Sequence, residues 1–378
     1  MDWDNLGFKL ITTDYIYSMK CTEEGNFEQG RLSLHANIEL SPAAAILNYA
    51  QGVFEGTKAH KKEDGGLLLF RPDQNGARMK IGAERMCMPS PSVDQFVDAV
   101  KQTAIANRHW NPTPHEPRVQ SGCGVLFGSE KEVSVMVLVC RCGFDGVGSS
   151  VVVGSGGLGG GRVVWAEPLL MGTGGALGVA PAPDYTFLVY ASPVANYFKE
   201  GLAPLNIYVE DEFHRASPGG TGHVKAISNY SPCLKALTRA KKRGFSDVLF
   251  LDSIHNKYVE ELSTCNIFIL KGNQISTPAT NGTILPGVTR SSIIEIARDY
   301  GYKIEEREIE VDEVMEAEEV FCTGTAVGVA SVGSITYHTK RVEFKTGDQT
   351  VSQKLYSTLI GIQRGVIEDK KGWIVEID

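Results

Sequence analysis

From His115 to Glu167 the chain is dense in glycine and holds three of its eight cysteines, and its text thins to G-V-G-S-S-V-V-V-G-S-G-G-L-G-G-G. Glycine loses more conformational entropy on folding than any other residue and offers no side chain to bury, so this block divides the chain rather than building a core of its own. Within it, Val151 to Val153 followed by Gly154, Gly156 and Gly159 matches G-x-G-x-x-G, a dinucleotide-binding turn and hence a mark of an oxidoreductase. Such a turn has to open a helix inside a βαβ unit, whereas here it runs into glycines, β-branched residues and Pro168. That reading stays as a distant alternative. The apolar run Val133 to Cys140 has the β-propensity and lack of charge that make an uncovered segment sticky.

On either side the text is that of a mixed α/β protein. Ser41-Pro42 is a cap and first turn for a helix through Ala43 to Gln51. Gly66 to Pro72 is a short buried-strand run with a helix after it through Arg78 and Met86, and Ser92 with Gln95 is a capping box for a helix over Val93 to Ala106. Tyr185 to Tyr190, Pro204 to Glu210, Asp247 to Leu251 and Asn266 to Leu270 read as strands, Cys233 to Arg243 as a helix closed by Gly244, and Thr350 to Arg364 as an amphipathic helix before a closing strand. At 378 residues, 42% hydrophobic and 22% charged, the chain is long enough for two domains. Its net charge of -8, with both signs interspersed, leaves no footprint for nucleic acid or an anionic membrane, and no run nears the roughly 20 apolar residues of a membrane span. The cysteines lack a zinc spacing and read as reduced thiols, with no metal site expected. The acidic start M-D-W-D-N-L-G-F-K-L shows no targeting segment, which favours the cytoplasm, with chloroplast or mitochondrion the alternatives for a truncated N-terminus.

Chemistry concentrates around S-P-G-G-T-G-H-V-K-A-I-S-N-Y, Ser217 to Tyr230, where Lys225 stands alone among small and apolar residues. A lysine drawn out of water gives up its proton more readily, and its neutral amine can form a Schiff base with an aldehyde. By itself it reads as a surface lysine; its company changes that. Downstream come E-L-S-T-C-N-I-F with Glu261 and Thr264, then I-L-P-G-V-T-R, where a Pro-Gly turn opens a helix, then the small-residue loop F-C-T-G-T-A with Thr323, Thr325 and Ala326. A helix N-terminus presents free N–H groups to a phosphate. A lysine, a strand-borne carboxylate and two anion-binding loops are what pyridoxal phosphate requires.

At these residues the chain resembles the branched-chain amino acid aminotransferases of pyridoxal-phosphate fold type IV, most of all the plant members. The spacing of Glu261, Asn266, Thr277, Gly287 and Arg290, together with the block G-V-F-E-G-T-K-A-H from Gly52, carries the likeness. It covers about residues 1 to 114 and 168 to 378, so the glycine-rich block reads as an insertion, with the text of retained non-coding sequence. The resemblance implies a two-domain α/β (α+β) fold with the cofactor at the domain interface: an N-terminal domain over 1–199, an interdomain loop over 200–212 and a C-terminal domain over 213–378. It implies a homodimer, and a transaminase moving the amino group of L-leucine, L-isoleucine or L-valine to 2-oxoglutarate.

Residue by residue, it makes Lys225 the catalytic amine. Arg78, Tyr230, Glu261, Val288, Thr289 and Thr323 are the remaining cofactor-binding positions, with Glu261 facing the ring nitrogen and Arg78 the phosphate. Tyr49, Phe54, Tyr197, Thr264, Thr325 and Ala326 are the substrate-binding ones. Two departures stand out. His223 replaces the glycine usual two before the lysine and is expected to crowd the cofactor, and Trp165 and Glu167 stand where the family has a tyrosine and an arginine on the substrate side. Their loss makes a cofactor-binding but inactive paralogue the second reading. D-amino acid transaminases and aminodeoxychorismate lyases are nearer rivals, against which the F-E-G-T-K-A block weighs.

Overall fold

Alternation along the strand Val163–Gly172 fixes how the first sheet faces its core: Val164, Ala166 and Leu170 are fully buried, while Trp165, Glu167 and Leu169 turn to the other side. The computed structural model describes residues 6–22, 24–62, 64–111, 163–198 and 203–377. The G-x-G-x-x-G match and Val133 to Cys140 lie outside them. Val163 to Glu167, expected as the end of a foreign block, instead form the first half of this strand, because their one-in-two pattern is the one a half-buried strand needs.

The first sheet has eight strands. They are β1 (Tyr15–Thr22), β2 (Arg31–Leu34), β3 (Gly52–Phe54), β4 (Thr57–Lys61), β5 (Leu67–Phe70), β6 (Val163–Gly172) and β7 (Asp184–Val194), joined by a strand from the far end of the chain. Helices α1 (Ala45–Tyr49), α2 (Pro72–Arg85) and α3 (Val93–Ala106) belong to the same half. The α3 bounds and its Ser92–Gln95 capping box are as expected. Helix α1 is shorter than the sequence indicated: Ser41 Oγ accepts from the Ala43 N–H in a preceding turn, and the helix stops at Ala50, which takes a left-handed conformation with φ 51°.

The chain crosses to a second, nine-stranded sheet after Val194. Its strands are β8 (Leu205–Glu210), β9 (Asp247–Leu251), β10 (Val259–Leu262), β11 (Asn266–Lys271), β12 (Gln274–Pro278), β13 (Lys303–Arg307), β14 (Glu319–Gly324), β15 (Gly328–Tyr337) and β16 (Lys340–Glu343), with helices α4 (Leu234–Lys242), α5 (Val288–Asp299), α6 (Val311–Val314) and α7 (Val351–Gln363). The order runs β10-β9-β8-β15-β14-β11, and β10 also pairs with β11, so these six strands close into a barrel. Closure suits strands buried on both faces: all five residues of β9 and all four of β10 are buried.

Two strands tie the halves of the chain to their sheets. Residues 205–210, read as a strand, are β8, paired in parallel with both β9 and β15. The last strand, β17 (Ile374–Ile377), leaves the second half and pairs antiparallel with β5 of the first sheet. What draws it there is an apolar seam in which Trp373 meets Phe70 edge-on at 5.6 Å and both pack with Leu355 and Leu359 of α7. Among the described residues no helix is long and apolar enough to cross a membrane.

Candidate functional site

Lys225 is set by its loop before its side chain is considered. Asn229 ties the loop shut, donating to the carbonyls of Thr221 and Val224 at 2.8 Å each and accepting from the Thr221 hydroxyl at 2.6 Å. Gly222 lies so close to the next segment that a Cβ there would sit 2.2 Å from the Thr283 carbonyl oxygen, so only glycine fits. The Lys225 carbonyl accepts from the Phe54 N–H at 3.1 Å and Ala226 bridges to Val53, which pins the lysine backbone to β3. Its side chain then crosses the Phe54 ring at 4.2 Å and donates to the Tyr230 hydroxyl at 3.3 Å. Among the described residues no carboxylate pairs with it. His223 turns away, its Nδ1 3.0 Å from the Gly282 carbonyl oxygen, and does not line the cavity into which Lys225 points. The crowding expected of it does not occur, because its ring is held at the Gly282 carbonyl instead.

That cavity, of about 190 Å³, lies between the two sheets. Glu261 enters it from β10, almost wholly buried. One oxygen pairs with Arg215 Nη1 at 2.8 Å and accepts from the Leu285 N–H at 2.8 Å; the other accepts from Asn266 at 3.3 Å. Burial pushes its pKa up, against the pull of Arg215 and the Leu285 bond. A carboxylate so placed can receive and hold a proton-bearing ring nitrogen.

The N-terminus of α5 forms another wall. Gly287 is its N-cap with no side-chain cap bond, so the first N–H groups, at Val288 and Thr289, face the cavity region without a capping oxygen. A Cβ on Gly287 would come within 2.2 Å of Asn266 Oδ1, whose amide Nδ2 donates to the Leu285 carbonyl at 2.9 Å and holds this turn against β11. Across from it, the Thr323 hydroxyl is buried with no protein partner, an acceptor and donor aimed at something else. Arg78 reaches the same wall from α2, but only in part as expected. Its Nε and Nη2 grip Glu55 at 2.7 Å each, leaving Nη1, 3.0 Å from the Pro286 carbonyl oxygen, nearest the helix turn.

Phe54, Tyr197 and Thr264 line the remaining face, with Thr264 donating to the Tyr197 hydroxyl at 3.3 Å. Thr325 and Ala326 close it, and Lys58 donates to the Ala326 carbonyl at 2.8 Å from behind. Trp165 and Glu167 line it as well. Tyr49 does not: it is exposed, and its hydroxyl accepts from the Gly178 N–H at 2.8 Å outside the cavity. Residues that the sequence did not single out supply much of the support. Glu55, whose residue type reads as a surface charge, is fully buried beneath Arg78, while Phe54 beside it faces the cavity. Arg215 and Phe8 carry no local signal at all, Phe8 meeting Trp165 and Tyr197 edge-on at 5.1 Å each.

A half-buried lysine amine, a deep carboxylate with a raised pKa, an uncapped helix N-terminus and an unpartnered hydroxyl are together the contacts a phosphorylated pyridine aldehyde would use, and the residues fit such a group. Comparison with known proteins agrees. Residues 160–335 match the family model described as amino-transferase class IV. Over 378 residues, all of this chain and 85% of the relative, the chain is 72% identical to branched-chain amino acid aminotransferase 1, mitochondrial, of Humulus lupulus. Identity is 58% to branched-chain-amino-acid aminotransferase 2, chloroplastic, of Arabidopsis thaliana, again over the whole chain and 86% of the relative. The crystal structure of the Escherichia coli branched-chain amino acid aminotransferase superposes with a TM-score of 0.74 at 22% identity, covering 97% of this chain and 100% of that one, which shows a common fold.

Proposed function

The chain belongs to the class IV aminotransferases, among the branched-chain amino acid aminotransferases, and from that membership we propose that it exchanges amino groups between branched-chain L-amino acids and 2-oxo acids with pyridoxal phosphate as cofactor. The observation that carries the reading is Lys225, held by its backbone to β3 and presenting an amine free of any carboxylate partner, among the described residues, to a cavity that ends on Glu261. When bound, pyridoxal phosphate supplies an aldehyde for a primary amine and a ring that takes up the electrons of the substrate Cα–H bond.

The side chains then divide the work. Lys225 would hold the group through its aldehyde, and its amine is placed to move a proton at the substrate α-carbon. Glu261, kept in place by Arg215, Asn266 and the Leu285 N–H, holds a proton on the ring nitrogen. Tyr230, in bonding reach of Lys225 Nζ, steadies the ring oxygen. The N–H groups of Val288 and Thr289, the Thr323 hydroxyl and Arg78 Nη1 bind phosphate, and Thr264 with the Thr325 and Ala326 N–H groups takes the substrate carboxylate. Phe54 and Tyr197 form an apolar wall for a branched side chain, excluding water there.

We assign a homodimer on the exposed apolar patch that joins Leu47 and Tyr49 to Leu177 and Val179, the last two each 95% exposed. By the compartments in the relatives' names, we place the protein in the mitochondrion or chloroplast in preference to the cytoplasm. The test is Lys225→Ala. The purified variant is expected to lose the visible absorbance of the bound cofactor on desalting and to lose transamination with leucine; a variant that keeps both refutes the assignment.

A further inference from the structure

We propose that Glu167 makes this chain discriminate against substrates whose side chain carries a second carboxylate, so that 2-oxo acids with uncharged side chains are its preferred amino acceptors. The inference rests on the amino-group exchange proposed above and narrows its substrate class.

The period of a strand places Trp165 and Glu167 side by side on the cavity face of β6. Glu167 is held there from two directions. Trp165 donates to its Oε2 at 2.9 Å, and the hydroxyl of Tyr190, its register partner on β7, bonds it from the adjoining strand. Both neighbours are uncharged, so neither brings a cation to the carboxylate.

Every other charge at the cavity is already committed. Arg78 is forked on Glu55, Glu261 is paired with Arg215, and Lys225 belongs to the cofactor. Lys58, opposite Trp165 in register, gives its ammonium to the Ala326 carbonyl and does not line the cavity. Among the described residues no cation remains for a carboxylate arriving at the Glu167 end. Such a group would lose water against aromatic walls and meet a like charge, while an alkyl side chain meets Phe8, Phe54 and Tyr197 and loses nothing. Discrimination thus comes from a repulsive element, the cheapest way to reject one of two otherwise similar acids.

The test uses the enzyme saturated with pyridoxal phosphate, leucine as donor, and two acceptors of equal chain length, 2-oxopentanoate and 2-oxoglutarate. The ratio of kcat/KM is expected to favour 2-oxopentanoate by about tenfold or more, carried by KM. Glu167→Gln, which keeps shape and removes charge, is expected to lower that ratio by about tenfold. Calorimetric titration with pentanoate and glutarate gives a second readout that does not depend on turnover, and should show the same order. Equal use and equal binding of the two acids by the natural chain would overturn the inference, as would a Glu167→Gln ratio that does not move. Absence of transamination with both acceptors would refute the proposed function, and the binding pair would still decide the role of Glu167. If Glu167→Gln does not fold, the natural chain's two ratios decide it.

Discussion

Glu55 offers the most quantitative check on how the site is supported. Its carboxylate is fully buried, accepts two bonds from Arg78 at 2.7 Å each and a third from Asn75 at 2.8 Å, and Arg78 is itself only 9% exposed. Burial works against the Arg78 charge, and the charge and hydrogen bonds of Glu55, with smaller contributions from Tyr230 and Glu261, outweigh it and raise the guanidinium pKa. With both groups out of solvent, the discount that applies to surface pairs does not arise. Glu55→Gln leaves a buried guanidinium facing a neutral amide, and breaking a buried pair from one side costs about 3–5 kcal/mol. That is a large share of the roughly 5–15 kcal/mol by which a protein is stable. The assay is urea denaturation followed by tryptophan fluorescence, since Trp165 lies in β6 and Trp373 packs on Phe70 of β5. The midpoint should fall with little change in slope. Adding Arg78→Met removes the stranded charge and should recover part of the loss. A Glu55→Gln loss below about 1 kcal/mol, or a double variant as unstable as the two single effects summed, would refute the account of this pair.

Two further outcomes follow from the same neighbourhood. Burial pushes the Glu260 carboxyl up to about 7 from an ordinary 4.5, with Glu261 adding to the rise and Thr283 and Arg215 opposing it. A carboxyl whose folded pKa is raised binds its proton longer in the folded state, so its contribution costs stability progressively as pH climbs from about 4.5 to 7; Glu260→Gln should flatten that part of a urea-midpoint profile, and an unchanged slope would count against it. Gly222→Ala drives a methyl into the Thr283 carbonyl and should cost about 1–3 kcal/mol while displacing the Lys225 loop. Reduced cofactor retention should accompany the loss of stability, and a variant as stable as the natural chain would show the contact to be slack.

Local chemistry was legible from the text alone wherever a short segment carries its own reason. The α3 capping box, the buried run of β9, the Pro-Gly turn before α5 and the isolated Lys225 each follow from neighbours within a few residues, and the structure has them where the pattern indicated. The family's motif then named Glu261, Thr264 and the 323–326 loop, which the fold gathers at one cavity.

What only the tertiary structure decided are pairings between residues far apart in the chain. Nothing near Arg215 says that it will neutralise Glu261, and nothing near Phe8 says that it will close the aromatic wall over Trp165. Glu55 reads as a solvated charge until β3 and α2 bring Arg78 down on it, and β17 reads as the end of the second half until an apolar seam draws it to β5. Burial and pairing energies depend on distances that a sequence period does not encode. A strand's alternation puts Trp165 and Glu167 on one face, but only the packed sheets settle that this face is the cavity wall.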